Sequence, residues 1–510
     1  MPTSPLALIG IAATAWLAIG AAGLFRPRSL RAVRTLFPLG AVVGVAIAIA
    51  ACFALARPPE STVLPLGLPD LPFHLRVDAL SAFFLVLLGS ATAAISLFSA
   101  GYFRSGSGTA PGLICFQYHA FVAAMVLVLI ADDAYVFMVA WETMALASYF
   151  LVTTDHRIPE IRRAGFLYLL IAHVGAIAIL LCFGVLQGGH GDYTFAAMRA
   201  ISLPGWWGSA AFFLALMGFG AKAGLLPLHI WLPEAHPAAP SPVSALMSGV
   251  MLKTAIYGLL RVTFDLLGAQ LWWWGAIALA LGLLSALFGV IFAAAQTDMK
   301  RLLAYSSIEN IGILVAALGL AILFRTNGKT LLAAVALAAL LYHALNHAMF
   351  KSLLFLATGS VLHATKERSL GKLGGLIHRM PWVAWLALAG TLASAGLPPL
   401  NGFVSEWLLL QAFLFTPTLP QSFINMLVPL AAAALVLAVA LAGYVMVKFY
   451  GVIFLGRPRE EKLAGAHDAG LLERLGLLWL TTFCALLGLF PVEVMEVIDP
   501  VPAMLVGRGL

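Results

Sequence analysis

Charge is scarce in this sequence. Asp, Glu, Lys and Arg make up 10% of its 510 residues, against 62% hydrophobic residues and a mean hydropathy of +0.99. Soluble domains carry about 25% charged residues. The deficit excludes a water-soluble globule. It also excludes a nucleic-acid-binding face, because the formal charge of +7 is spread over short loops. Long polar stretches are missing too, so no loop can hold a separate soluble domain. Cysteine is rare. Cys52, Cys115, Cys182 and Cys484 have no metal-ligand spacing and lie in or beside apolar segments, so neither a disulfide framework nor an iron–sulfur site follows. The first 24 residues lack a positive n-region, so they read as a first membrane helix rather than a cleaved signal.

Apolar runs of roughly 18 or more residues recur along the whole chain, each long enough to cross ~30 Å of hydrocarbon. They predict an all-α integral membrane fold of fourteen spans at about 5–24, 36–56, 79–103, 113–131, 133–152, 163–187, 208–230, 242–262, 271–295, 300–323, 331–362, 382–412, 422–455 and 471–491. Loops after odd-numbered spans carry eighteen Lys and Arg, Arg104 and Lys300 among them; the opposite face carries seven, Arg261 among them. By the positive-inside rule the first set is cytoplasmic and both termini lie outside. Four lysines, Lys222, Lys253, Lys351 and Lys448, fall within spans. Lys448, near the end of its helix, is expected to snorkel.

Two spans are interrupted in the same way. Ala223-Gly224-Leu225-Leu226-Pro227-Leu228-His229 in span 7 matches Ala395-Gly396-Leu397-Pro398-Pro399-Leu400-Asn401 in span 12 at five of seven positions. Five spans separate them, an odd number, so the units containing them have opposite topology. Paired Gly/Pro-interrupted helices are the sequence pointer to an inverted-repeat transporter. Proline inside a helix frees carbonyls that hydrocarbon cannot satisfy, which is tolerable around a protein-lined, partly watered cavity.

The ionisable residues at mid-depth are therefore the candidates for function. Lys222 lies five residues before the proline of span 7, and a lysine there costs roughly 2.5–3.5 kcal/mol on insertion scales. Glu142, mid-span in Trp141-Glu142-Thr143, has Lys222 as its natural partner; the pair is either a proton switch or a fixed structural ion pair. Lys253 stands in the middle of span 8, for charge movement or for packing. His343, His347 and Lys351 recur at i, i+4 and i+8, one helix face over roughly 12 Å, which suits a hydrogen-bonded water chain. The His-x3-His pattern resembles half a zincin motif, but Ala344 stands where the catalytic Glu belongs, so no metal site is assigned. Glu406 follows the break in span 12. Glu309 in span 10 and His173 in span 6 serve either a secondary proton path or helix-to-helix hydrogen bonds. His229, Glu234 and His236 occupy the connection between spans 7 and 8, where water access makes them candidates for a half-channel mouth.

With those residues in view, the chain resembles a family. The block from Lys222 through Leu228-His229-Ile230-Trp231-Leu232-Pro233-Glu234-Ala235-His236 to Pro240-Ser241-Pro242-Val243-Ser244-Ala245-Leu246 resembles the signature of antiporter-like subunits of respiratory complex I, multisubunit cation/proton antiporters and group 4 hydrogenases. The mixture of Lys253, the His343–Lys351 segment, Ser306-Ser307-Ile308-Glu309-Asn310-Ile311-Gly312 and Glu406 is most similar to the B-type membrane subunit of hydrogenase-4 and its formate hydrogenlyase counterpart. The resemblance implies fourteen core helices, broken helices 7 and 12, and an inverted repeat of helices 4–8 and 9–13. That divides the chain into 1–112, 113–262, 263–455 and 456–510. It implies proton translocation, with Glu142 and Lys222 as the essential pair, Lys253 and the His343/His347/Lys351 stripe along the path, and Glu406 as its terminal group. No redox motif is present, so any nickel–iron or iron–sulfur centre is expected in partner subunits: other membrane subunits and a peripheral cytoplasmic redox arm in a bacterial inner membrane. A sodium/proton antiporter, an inorganic-carbon uptake subunit and a non-transporting scaffold for a redox arm stay open. The long lateral helix of the terminal complex I subunit has no counterpart after span 14.

Overall fold

Long apolar runs have one way to satisfy their backbone in hydrocarbon without a partner strand, and that is to coil. The computed structural model describes residues 4–103 and 108–510; Arg104 lies outside the described residues. The helices are α1 (Pro5–Phe25), α2 (Leu30–Leu55), α3 (Ala79–Tyr102), α4 (Pro111–Ile130), α5 (Ala134–Val152), α6 (Pro159–Leu186), α7 (Gly205–Ala223), α8 (Ser241–Leu266), α9 (Trp272–Ala295), α10 (Met299–Thr326), α11 (Thr330–Thr365), α12 in two halves (Pro381–Ser394 and Asn401–Leu414), α13 (Ser422–Phe454) and α14 (Leu471–Leu489). Among the described residues, twelve helices are long and apolar enough to cross a membrane. The two remaining positions belong to the interrupted helices α7 and α12.

The breaks share one backbone solution. Gly224 and Gly396 both take a left-handed conformation, with φ of 80° and 64°, which only glycine adopts without steric cost. Each is followed by the same return bond, Leu225 N to the Gly220 carbonyl at 2.9 Å and Leu397 N to the Leu392 carbonyl at 3.1 Å. Trp231 Nε1 donates to the Ala221 carbonyl at 2.8 Å. At the second break Asn346 of α11 donates to the Asn401 carbonyl at 2.6 Å. Buried backbone groups at both interruptions therefore keep partners.

The centre of the bundle is α8, α10 and α11. α10 packs closely on α9 because glycines face each other along the contact: a Cβ on Gly282 would lie 2.4 Å from Ala316 N, and one on Gly289 would lie 2.4 Å from Glu309 N. Small residues let membrane helices approach this far. α11 packs in turn on α10, on both halves of α12 and on α14. α8 is not a regular α-helix; it opens into π-turns at Met247–Met251 and Arg261–Leu266.

Three features differ from the sequence reading. An antiparallel hairpin, β1 (Glu60–Leu68) and β2 (Leu71–Val77), crosses the ends of the bundle between α2 and α3. Its prolines, at 65, 69 and 72, hide the strand pattern. Lys300 and Arg261, counted above as loop charges, are buried. Lys300 Nζ donates to the Ala239 carbonyl at 2.5 Å. Arg261 makes two bonds to Asp78 at 2.7 and 2.8 Å and one to Asp265 at 2.9 Å. Setting aside one charge from each face leaves the charge asymmetry standing. Lys448 donates to the Ala294 and Gln296 carbonyls at the end of α9, at 2.6 and 2.7 Å.

Asp78 caps α3 through the Ser81 N–H at 3.0 Å. Burial pushes its carboxyl up, but Arg261 overrides this by charge and hydrogen bonding and holds it well below the usual carboxylate range. A depressed acid stabilises the fold above its unfolded pKa and loses that contribution as pH falls through the folded one. The link is thus expected to persist through mild acid and fail only in strong acid. Asp78→Ala leaves the buried Arg261 with Asp265 as its remaining carboxylate and should cost about 1.5–3 kcal/mol, the scale of a hydrogen bond to a charged group, read as early thermal unfolding in detergent.

Candidate functional site

Lys222 ends α7 just before its break and is 2% exposed. Its ammonium donates to the Tyr168 hydroxyl of α6 at 2.8 Å and lies over the rings of Tyr168 and Trp141, 5.0 and 6.0 Å from their centroids. The expected Glu142–Lys222 contact is absent: no ion pair within 4 Å joins them. Glu142 instead points to the outer face of α5, its side chain 41% exposed, with His173 Nδ1 of α6 at 3.6 Å. The reason is helix rotation. Trp141 and Met144 take the buried face of α5, and Glu142 sits between them on the other side.

The second half of the site is organised by α11, whose His343, His347 and Lys351 each carry a separate hydrogen-bonded group. Lys253 follows the first π-turn of α8. It donates to the Ser248 carbonyl at 2.6 Å and hydrogen-bonds His347 Nδ1 of α11. One turn on, Lys351 donates to the Ser306 hydroxyl at 2.6 Å, and Ser306 donates to Glu309 Oε2 at 3.1 Å. One turn back, His343 has Asn310 Oδ1 at 3.1 Å on one nitrogen and Ser405 Oγ at 3.0 Å on the other. The stripe on α11 thus reaches α8, α10 and α12 with three successive side chains, all buried. Glu406, beside Ser405, is half-buried. Its carboxylate folds over Gly396 so closely that a Cβ there would meet Oε2 at 2.1 Å.

The connection after α7 divides. The short helix Leu232–Ala238 packs against α10. Glu234 is exposed and ion-paired with Arg301. His229 is half-buried, edge-on to Phe288 with ring centroids 4.8 Å apart. His236, expected at a watered mouth, is fully enclosed and stacked on Phe355 at 4.7 Å, with neither ring nitrogen bonded to protein. Packing beneath α11 removes it from the surface. Tyr168 and Ser405 were not singled out from sequence, and Ser306 and Asn310 stood in the segment 306–312 without a role of their own. Ser306, Glu309 and Asn310 share a face of α10 at i, i+3 and i+4, a readable signal; Tyr168 in an apolar run offers none. Among the described residues no group of three His, Cys, Asp or Glu side chains is placed to hold a metal ion.

Comparison with known proteins agrees with this architecture. Residues 131–428 match the family model described as NADH:quinone oxidoreductase/Mrp antiporter, transmembrane. The chain belongs to this family. It is 42% identical to hydrogenase-4 component B of Escherichia coli K12 over 418 residues, 81% of this chain and 62% of that protein. It is 36% identical to formate hydrogenlyase subunit 3 of the same organism over 419 residues, 82% of this chain and 67% of that one. The chain therefore spans about two thirds of the length of these relatives. A chain of respiratory complex I from Thermus thermophilus superposes with a TM-score of 0.79, over 98% of this chain and 99% of that one, at 23% identity; this establishes the shared fold. The protein is thus an antiporter-like integral membrane subunit with charged residues buried in its bundle.

Proposed function

We propose that this subunit moves protons across a bacterial inner membrane as part of a redox-driven complex. The observation that carries the reading is two buried hydrogen-bonded groups one turn apart on α11, Lys253 with His347 and Lys351 with Ser306 and Glu309, with Lys222 enclosed one helix away. Burying so many ionisable groups at depth is costly and marks ion pathways rather than anchorage. The two matched helix breaks support an inverted repeat of helices 4–8 and 9–13 and the division at residues 112, 262 and 455. The loop charges support external termini. Glu142, Lys222, Lys253, His343, His347, Lys351 and Glu406 carry the proton path; His173, His229, Glu234, His236 and Glu309 support it. The likeness to components of hydrogenase-4 and formate hydrogenlyase favours a partner arm that carries the redox centres.

The test is gentle purification from native membranes, followed by subunit identification and metal analysis. Copurifying nickel and iron–sulfur proteins bear the proposal out. Membrane proteins alone, with sodium-dependent proton flux in vesicles, replace it with a cation/proton antiporter.

Glu142→Gln separates a switch from a structural pair. Since Glu142 does not hold Lys222 in this structure, its neutralisation strands no buried charge. The complex is expected to assemble at normal yield and to lose coupled proton movement. Loss of the complex itself would assign Glu142 to assembly.

A further inference from the structure

We propose that Tyr168 is the positioning residue for Lys222, holding its ammonium away from Glu142. The inference rests on the proton-transport reading above. The hydrogen-bond directions argue for it. Ser148 Oγ lies 2.6 Å from the Met144 carbonyl and 2.9 Å from the Ala145 carbonyl, so its one proton is committed to α5's own backbone. Ser148 Oγ is also 2.5 Å from the Tyr168 hydroxyl. The phenol then donates to Ser148, a better acceptor at 2.5 Å than the Met251 sulfur at 3.7 Å, which turns its lone pairs toward Lys222 Nζ at 2.8 Å. The chain runs from Lys222 to Tyr168 to Ser148 and ends on a carbonyl. A carbonyl takes no proton at neutral pH, so these groups hold the lysine and do not relay from it.

The holder is itself fixed. The Tyr168 ring lies 5.0 Å from the Trp231 ring, and Trp231 is tied to the freed Ala221 carbonyl of the α7 break. The hydroxyl also lies 3.7 Å from Met251 Sδ, in the π-turn that precedes Lys253. The aromatic faces of Tyr168 and Trp141 add cation–π attraction for the ammonium. On the proposed mechanism Lys222 has two competing partners: the phenol it occupies here, and the carboxylate of Glu142, which here faces His173. Transport needs the lysine to leave one for the other, so the strength of the phenol contact sets how often the pair forms.

Tyr168→Phe keeps the ring, its stacking and its cation–π face, and removes the oxygen alone. In the purified complex in vesicles, flux is expected to fall about tenfold at unchanged yield, the order set by one hydrogen bond to a charged group. 3-Fluorotyrosine at position 168 restores the oxygen and should restore flux. Its fluorine resonance should shift when Lys222→Ala is added. In Glu142→Gln it should stay at the lysine-bound position, because the competing charge is gone. Wild-type flux in Tyr168→Phe, or a fluorine resonance indifferent to Lys222→Ala, overturns the positioning role. Lys222→Ala measured alone keeps the two ideas apart: if it abolishes flux while Tyr168→Phe does not, only the positioning role fails. If it leaves flux intact, the transport reading fails first.

Discussion

Lys222→Ala is expected to abolish coupled proton movement while the complex still assembles. The lysine is enclosed, 2% exposed, at the end of a helix that breaks within its span. Its partners are a phenol and two aromatic faces, all neutral. Removing it therefore leaves no opposite charge stranded in the bundle, which is the usual reason that deleting one member of a buried ion pair unfolds a protein. Tyr168 keeps Ser148 as a partner. The structural cost is a cavity, and Lys222→Met, which fills most of it, should match wild type in yield and Lys222→Ala in flux. Lys222→Arg should not rescue, because a planar guanidinium cannot shed its proton and does not fit a site built around a point charge. Proton movement at the wild-type rate in a correctly inserted Lys222→Met complex would remove this lysine from the path.

The membrane spans and both helix breaks were legible because each depends on local composition: run length for the spans, Gly and Pro for the breaks. The α11 stripe was legible because i, i+4, i+8 spacing fixes a face, and that face does meet α8, α10 and α12. Partner choice was not legible. Glu142 and Lys222 lie at compatible depths, but depth says nothing of rotation, and α5 turns Glu142 outward to His173. The Lys351–Ser306–Glu309 link needed a third residue from another helix. The Arg261–Asp78 bond joins positions 183 residues apart, so no local pattern could announce it. Lys300 and His236 were misplaced for a shared reason. Both stand beside polar or proline-rich loops, where sequence reads solvent and the structure supplies packing.

For the second half of the site the largest effect is expected at His347. Its Nδ1 meets the Lys253 ammonium, while its Nε2 is buried and unbonded to protein; Lys351 follows one turn later on the same face. On the proposed path, a proton passing between the two lysines along α11 crosses this ring or a water held by it. His347→Leu is similar in volume but has no acceptor, leaving Lys253 with the Ser248 carbonyl. Flux should fall by about 10²-fold or more, the scale of losing a positioned proton-transfer group. His347→Gln retains an amide oxygen for Lys253 and a donor for water, although it cannot itself titrate, so its loss should be smaller. A histidine that merely packs the helix inverts the order: leucine is tolerated in a dry site, and glutamine, with an unmet amide, lowers the yield. Proton flux and complex yield measured together on both variants distinguish these cases. Wild-type flux in both would exclude α11 from the path and leave Lys222, Lys253 and Glu406 to carry it.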